Sequence, residues 1–497
     1  MIRPLIALTL FTALMSSTVY AKTATKKRDP SSVDRPPQFV MLAFDGSKDV
    51  PFWDESMKFA DTVATKEGTS LMRWTYFINP TYYLASSNRR TYNTPGIGPG
   101  HSCIGFSKTS TEIASRIART NKAFNSKHEI GSHANAHCDQ TGTDSTDPMY
   151  GHPWSASDWN SEFSQFNYLL FNAFKINGVK PLDTNYSNGF AFSEKDIVGF
   201  RAPKLAVTDG LWPTLSKYNF RYDTSRTSAP DYWPQRQSWG GWNFPLAQIK
   251  IAGTNRKTLS MDFNWLAYHS GGVPRKDLSD EEYQRYYNQM LDSYKYYFKK
   301  NYFGNRAPIH IGHHFSKWNR GVYWQAMKDF AKFVCNKPEV RCVTYTEYAD
   351  WLDNLENSRY EAYRKGQFER LRDDYTIQDI ATPILADIRL DTGNSRFEAV
   401  VADADKNRVT SLGWKPQLQI NNQPYATTAV TREQLSEKFK SGESILLRAA
   451  LLNKSGVPVN WETYRIKNFG TTNESIVGPI ENTLLNGEGA DAHDDEE

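Results

Sequence analysis

The first two-thirds of this 497-residue chain predicts an α/β fold built on a parallel sheet, and the last third a smaller β domain. Three observations carry this. The run "QFVMLAF", starting at Gln38, is almost continuously apolar, as expected of a strand buried on both faces. The stretch "SKTSTEIASRIARTNKAFNSK" places Ile113, Ile117 and Phe124 on one helical stripe with Ser and Thr available as caps, and "SASDWNSEFSQFNYLLFNAFK" is a second amphipathic helix. From about residue 356 the texture changes: a charged helical stretch leads into "FEAVVADA", "PQLQINNQ" and "ESILLRAALL", alternating segments separated by turn residues that suggest a β-sandwich of roughly 100 residues.

Each strand of the first part ends in something polar. "DIVGFRAP", "APIHIGHH" and "VRCVTYTEYADWL" begin as strands and run into a loop or helix. In parallel α/β domains functional groups gather at the carboxyl edge of the sheet. That rule selects Asp45 after the first apolar run, His133 and His137 after the second, Arg201 after the third, and His313 and His314 after the fourth.

Charge and composition narrow the function classes. A formal net charge of +4 makes no case for nucleic acid, and the acidic end "GADAHDDEE" reads as a solvated tail. The opening "MIRPLIALTLFTALMSSTVYAK" has Arg3, an apolar stretch from Leu5 to Met15 and a small-residue pattern ending at Ala21, the pattern of a secretory signal too short to span a membrane comfortably. Export to a periplasmic or extracellular space is the expectation. Four cysteines in an oxidising compartment favour two disulfides. Cys335 and Cys342 flank "NKPEVR" and leave Cys103 and Cys138, although three connectivities are open.

Six of the ten histidines crowd two stretches, at 128, 133 and 137 and at 310, 313 and 314. Two imidazoles holding a divalent metal, a carboxylate that takes a proton from water, and a histidine that protonates a leaving group are the parts of an amide or ester hydrolase. His128 and His310 are read as structural. The tryptophans at 154, 159, 239 and 242 are as suited to core packing as to stacking on sugars.

These residues stand in ordered motifs, and over about residues 37 to 352 the chain resembles the polysaccharide deacetylases, the carbohydrate esterases with the NodB homology domain. "VMLAFDGS" stands where that family has a strand ending in Thr-Phe-Asp-Asp-Gly. "HEIGSHANAH" resembles its two-histidine metal motif, "FRAPKLAVTDGLW" its Arg-x-Pro motif, "NFRYDTSRTSAP" the segment after it, and "PIHIGHHFSKW" the motif carrying the general acid. The branch most resembled is that of the chitin deacetylases.

The resemblance implies a distorted (β/α) barrel, a divalent metal with zinc first, and removal of acetyl from N-acetylated sugars. It implies Asp45 as general base, His133 and His137 as ligands with Asp45 turning to the metal as well, Arg201 orienting Asp45, and His314 as acid with Asp223 tuning it. Lys204 and Trp318 are expected against substrate, and a backbone N–H near Pro203 and Lys204 against the oxyanion. The family's second Asp is Gly46 here, Ala134 replaces a Ser or Thr, and Lys204 a frequent Tyr. Asp49 is a further carboxylate that a bent loop could bring in.

The expected partner is a cell-wall polysaccharide, peptidoglycan or a chitin-like glycan, with no nucleic acid and no membrane span. A glycan-binding protein on the same fold is the alternative. The expected division is a signal at 1–21, a linker at 22–36, the deacetylase-like domain at 37–355, a helical linker at 356–375, a β domain at 376–475 and the acidic tail at 476–497.

Overall fold

The structure, a computed structural model, describes residues 33–477 apart from 65–70, 255, 372–387, 394–395, 402–405, 422, 453, 455 and 457. The expected signal, most of the first linker and nearly all of the acidic tail lie outside the described residues. Among the described residues no helix is long and apolar enough to cross a membrane.

Every residue of the strand Gln38–Asp45 is buried, which accounts for its unbroken apolar run. Its one early polar member, Gln38, donates from Nε2 to the Ala307 carbonyl at 2.8 Å. This strand lies between Ile309–His314 and Thr75–Ile78, and the parallel order continues through Glu129–Ser132, Gly199–Phe200, Tyr222–Asp223 and Trp242–Asn243. The sheet then curls. Leu246–Lys250 pairs in parallel with Thr227–Ser228 and antiparallel with Lys257–Leu259. Met261 in turn forms a parallel bridge with Gly312, on the strand where the order began. The curled strands make a distorted (β/α) barrel, with uneven strand lengths and a second small sheet joined to the first by a single bridge.

Helices pack outside it as their sequences predict. Ser110–Asn125 starts at Thr109, whose side chain accepts from the Glu112 N–H, and Ala156–Phe171 starts with a reciprocal capping box between Ser155 and Asp158. The tryptophans at 154, 159 and 242 are 3%, 0% and 4% exposed, so they belong to the core rather than to a sugar-stacking surface.

Two antiparallel sheets make the C-terminal part, one from Ile388–Asp391, Arg396–Val401 and Ala429–Thr431, the other of five strands centred on Ile445–Leu452. Ile388, Leu390 and Phe397 of the first share a core with Leu418, Leu447 and Ile466 of the second, a sandwich-like arrangement. Trp461 stacks on Tyr268 of the barrel at 5.3 Å. The stretch expected as a linker from 356 instead docks on the barrel for its first part. Tyr363 stacks on Trp351 at 6.0 Å, and Phe368 bridges to Val33.

Candidate active site

Register places the polar strand ends in one layer. Asp45 pairs with His314 across neighbouring strands, Asp45 with Phe77, Ile78 with Ser132, and Ser132 with Phe200. The residues that follow these ends, among them His133, His137, Lys204 and Trp318, line one cavity of about 170 Å³ together with Asp45 and His314. Arg201 lies just beneath it, fully buried.

Asp45 and Arg201 form a buried pair, with Nη1 donating to Asp45 Oδ1 at 2.6 Å. The guanidinium also donates to Thr224 Oγ1 at 2.5 Å and to Tyr345 Oη at 3.2 Å, and lies 4.6 Å from the centre of the Phe77 ring. A buried cation so fully bonded has one orientation, and it fixes the carboxylate in turn.

His133 Nδ1 is 2.8 Å from the Arg201 carbonyl oxygen. A carbonyl can only accept, so Nδ1 carries the proton and Nε2 is left as a lone pair. That Nε2 is buried without a hydrogen-bond partner, as is His137 Nδ1, and the two rings lie 4.9 Å apart. Burial holds the His133 imidazolium down to about 3 and that of His137 well below its ordinary value. Neutral imidazoles with a carbonyl fixing one tautomer are suited to a divalent cation, so the pair fits a metal as two ligands.

Asp45 does not complete a set of three. Among the described residues it does not join the two histidines with three donor atoms within 4.8 Å of one another, and Arg201 holds its Oδ1. Asp49 is no replacement, because it caps the helix Val50–Ala60 by accepting from Phe52 N–H at 3.0 Å. Gly46 has φ +89°, a left-handed backbone that a side-chain-bearing residue disfavours. The position after Asp45, where a second Asp was looked for, thus has a backbone that suits glycine. The group that does bring three such donors together, Cys103, Cys138 and Asp147, offers no thiolate because the cysteines form a disulfide. The second disulfide joins Cys335 and Cys342.

His314 faces the cavity with its side chain 24% exposed, and its Nδ1 is 2.8 Å from Asp262 Oδ1. Burial works against the imidazolium, but the Asp262 carboxylate outweighs it and raises the His314 pKa. His313 points elsewhere, to Tyr294 Oη at 3.0 Å, and burial holds it near 4.

Asp223, expected to tune His314, does not touch it. Its carboxylate accepts from Ser225 Oγ at 2.5 Å and from Ser225 N–H at 3.1 Å, and burial pushes its pKa up to about 6. The tuning carboxylate is Asp262. Its signal in the sequence is the Asp of "LSMDFNW", three residues past a short strand and first in a helix.

Trp318 is half-buried and its ring lies 5.0 Å from that of His314, a wall of the cavity beside the expected acid. Lys204 lines the cavity, but its ammonium is drawn to Asp147 at 2.8 Å and Asp144 at 3.3 Å. Those acids belong to the loop that follows the His137–Cys138 step, so Lys204 latches this loop rather than presenting a free charge to substrate.

The backbone here is strained. Ala134, His137, Lys204 and Leu205 all have φ between 53° and 55°, which costs on the order of 1 kcal/mol or more each for residues with a Cβ. Polar groups that sequence reasoning missed hold the loop in place. Asn79 donates to the His133 carbonyl at 2.6 Å, and buried Glu162 accepts from Asn135 N–H at 2.6 Å.

No family profile and no curated protein matches the chain. Among solved structures it is similar to a chitin deacetylase from Colletotrichum lindemuthianum, at 14% identity, 63% of this chain, 90% of the other and a TM-score of 0.31. A variant of a Bacillus subtilis peptidoglycan deacetylase matches at 10% identity, 66% and 99% coverage and a TM-score of 0.30. A 4-alpha-glucanotransferase from Thermococcus litoralis matches at 10% identity, 65% and 41% coverage and a TM-score of 0.34. Likeness at this level, spread over different reactions, assigns no activity.

Proposed function

We propose that the protein is an exported, metal-dependent polysaccharide N-deacetylase acting on the acetamido groups of a cell-wall glycan, peptidoglycan first and chitin-like polymers second. The observation that carries the reading is the placing of two proton-transfer groups from neighbouring strands on one small cavity: Asp45 held by Arg201, and His314 held by Asp262, with two bare imidazole nitrogens on the same cavity.

His133 and His137 would hold the metal, zinc first, which supplies Lewis-acid polarisation of the amide carbonyl and acidification of water. Asp45 is the general base. Arg201 aims it while taking up one of its oxygens. His314, with Nδ1 committed to Asp262, has only Nε2 free to carry a proton to the departing amine. The Asp262 carboxylate favours the protonated ring, the form an acid needs. The cavity volume of about 170 Å³ suits an acetamido group rather than a whole sugar chain, with Trp318 as a flat wall for a ring at its mouth.

A second reading, a glycan-binding protein on the same fold, is favoured by one observation: Gly46 brings no carboxylate to the histidine pair. Acetate release from peptidoglycan and chitin oligomers separates the two, measured with added zinc and after chelation, beside His133→Ala and Asp45→Asn. Zinc-dependent acetate that both variants lose supports the enzyme. Glycan and zinc binding without acetate from either polymer would mean the binding protein.

A further inference from the structure

A second groove, of about 580 Å³, lies at the opposite end of the Ile309–His314 strand from the cavity above. Asn301 and Asn305, just before the strand begins, line it, whereas His314 at the strand's end lines the first cavity. Five strand steps separate those ends, about 17 Å at the usual rise.

Six cations line this groove, Lys250, Lys257, Lys300, Arg364, Lys365 and Arg370, against the single carboxylate of Asp231. All six are exposed. Arg364 pairs with Glu361 at 2.9 Å, while the other five are in no ion pair among the described residues. In a chain of formal net charge +4 this is a marked local concentration. Like charges this crowded repel one another unless an anion is present, and a concave wall focuses their field.

We propose that this groove binds a flexible linear polyanion, a strand with phosphate or carboxylate groups at repeated intervals. Concavity favours a strand over a membrane plane. The groove's one branched aliphatic side chain, Ile249, is 1% exposed, and with Pro230 and Tyr296 only half-buried among six cations it presents little apolar surface to insert into lipid. Because the groove shares no lining residue with the first cavity, the proposal stands whatever reaction occurs there.

The test is fluorescence anisotropy on the full chain with labelled polyphosphate and polyglutamate, a neutral chitin oligomer as control, and rising salt. Wild type should bind at least one polyanion, and binding should weaken steeply with salt. Lys257→Glu/Lys300→Glu, and separately Lys365→Ala/Arg370→Ala, should weaken it, the charge reversal by about tenfold or more. A control pair of exposed lysines, Lys180→Glu/Lys195→Glu, makes the same change in net charge and should cost less than about twofold.

Which polymer binds tells phosphate from carboxylate. Equal losses in the groove and control pairs would reduce the effect to bulk charge and overturn the proposal. So would binding to phosphatidylglycerol vesicles without binding to either polymer. Binding seen only after deletion of residues 488–497 would assign the groove to the chain's own acidic end and overturn an external ligand.

Discussion

Asp262 Oδ1 accepts two hydrogen bonds from one residue, from the His314 backbone N–H at 2.9 Å and from its ring Nδ1 at 2.8 Å. One carboxylate oxygen thus fixes both where the ring sits and which of its nitrogens is free. In the proposed reaction, Asp262→Asn removes the charge that raises the His314 pKa. The protonated ring is then lost at lower pH, so the alkaline limb of kcat/KM moves to lower pH. His314→Ala should lower kcat/KM by about 10²–10⁴-fold. A pH–rate profile for Asp262→Asn that overlays the wild type would remove Asp262 from this role.

Arg201 and Asp45 are 0% and 2% exposed in their side chains, and each is the other's counter-charge. Arg201→Met leaves a buried carboxylate without its cation and should destabilise the fold by about 3–5 kcal/mol. Urea unfolding at neutral pH measures it. A loss below about 1 kcal/mol would mean that water already solvates Asp45.

Buried histidines make the fold acid-sensitive. Burial holds His128 and His310 near 3 and His313 near 4. Unfolded histidine titrates near ~6.5. The depressed groups therefore contribute stability that is fully present above that pH and is lost as pH falls toward their folded values. His314 has the opposite sign: its raised pKa contributes below about 6.5 and fades as pH rises through the folded value. With His133, His137 and His269 also held down by burial, the depressed histidines outweigh the one raised, so the melting temperature should fall from pH 6.5 to 4. His310→Phe, which replaces a ring whose two nitrogens are buried without partners, should flatten that slope. An unchanged slope would show that His310 is already protonated or solvated.

The Cys103–Cys138 disulfide spans 35 residues and ends on the residue after His137. In the chain-entropy account a loop of that length is worth about 3–4 kcal/mol. Cys103→Ser/Cys138→Ser should lower the melting temperature and, on the proposed reading, weaken zinc binding measured by calorimetry. A lower melting temperature with unchanged zinc affinity would limit the bridge to stability. Cys335→Ser/Cys342→Ser, which opens a separation of 7 residues away from the cavity, should leave zinc affinity alone.

The two-histidine spacing, the apolar strands and the polar residues at their ends are local patterns, and all were legible in the sequence. Strand burial writes an unbroken apolar run, as in Gln38–Asp45, and helix amphipathicity writes a stripe, as at Ile113 and Ile117. The pairing of Arg201 with Asp45, 156 residues apart, was implied by the family resemblance those motifs carry, not by any one segment.

What the sequence could not decide were the partnerships made by barrel closure. Asp262 and His314 are 52 residues apart, and they meet because Met261 bridges to Gly312 on the edge strand. Asp223 sits at a strand end just as plausibly, yet Ser225, two residues on, takes its carboxylate. Lys204 likewise looked free until the loop beyond Cys138 folded back over it with Asp144 and Asp147. Side-chain chemistry and periodicity are properties of a segment. Which carboxylate reaches which base depends on curvature and register between distant segments, and only the folded barrel sets those.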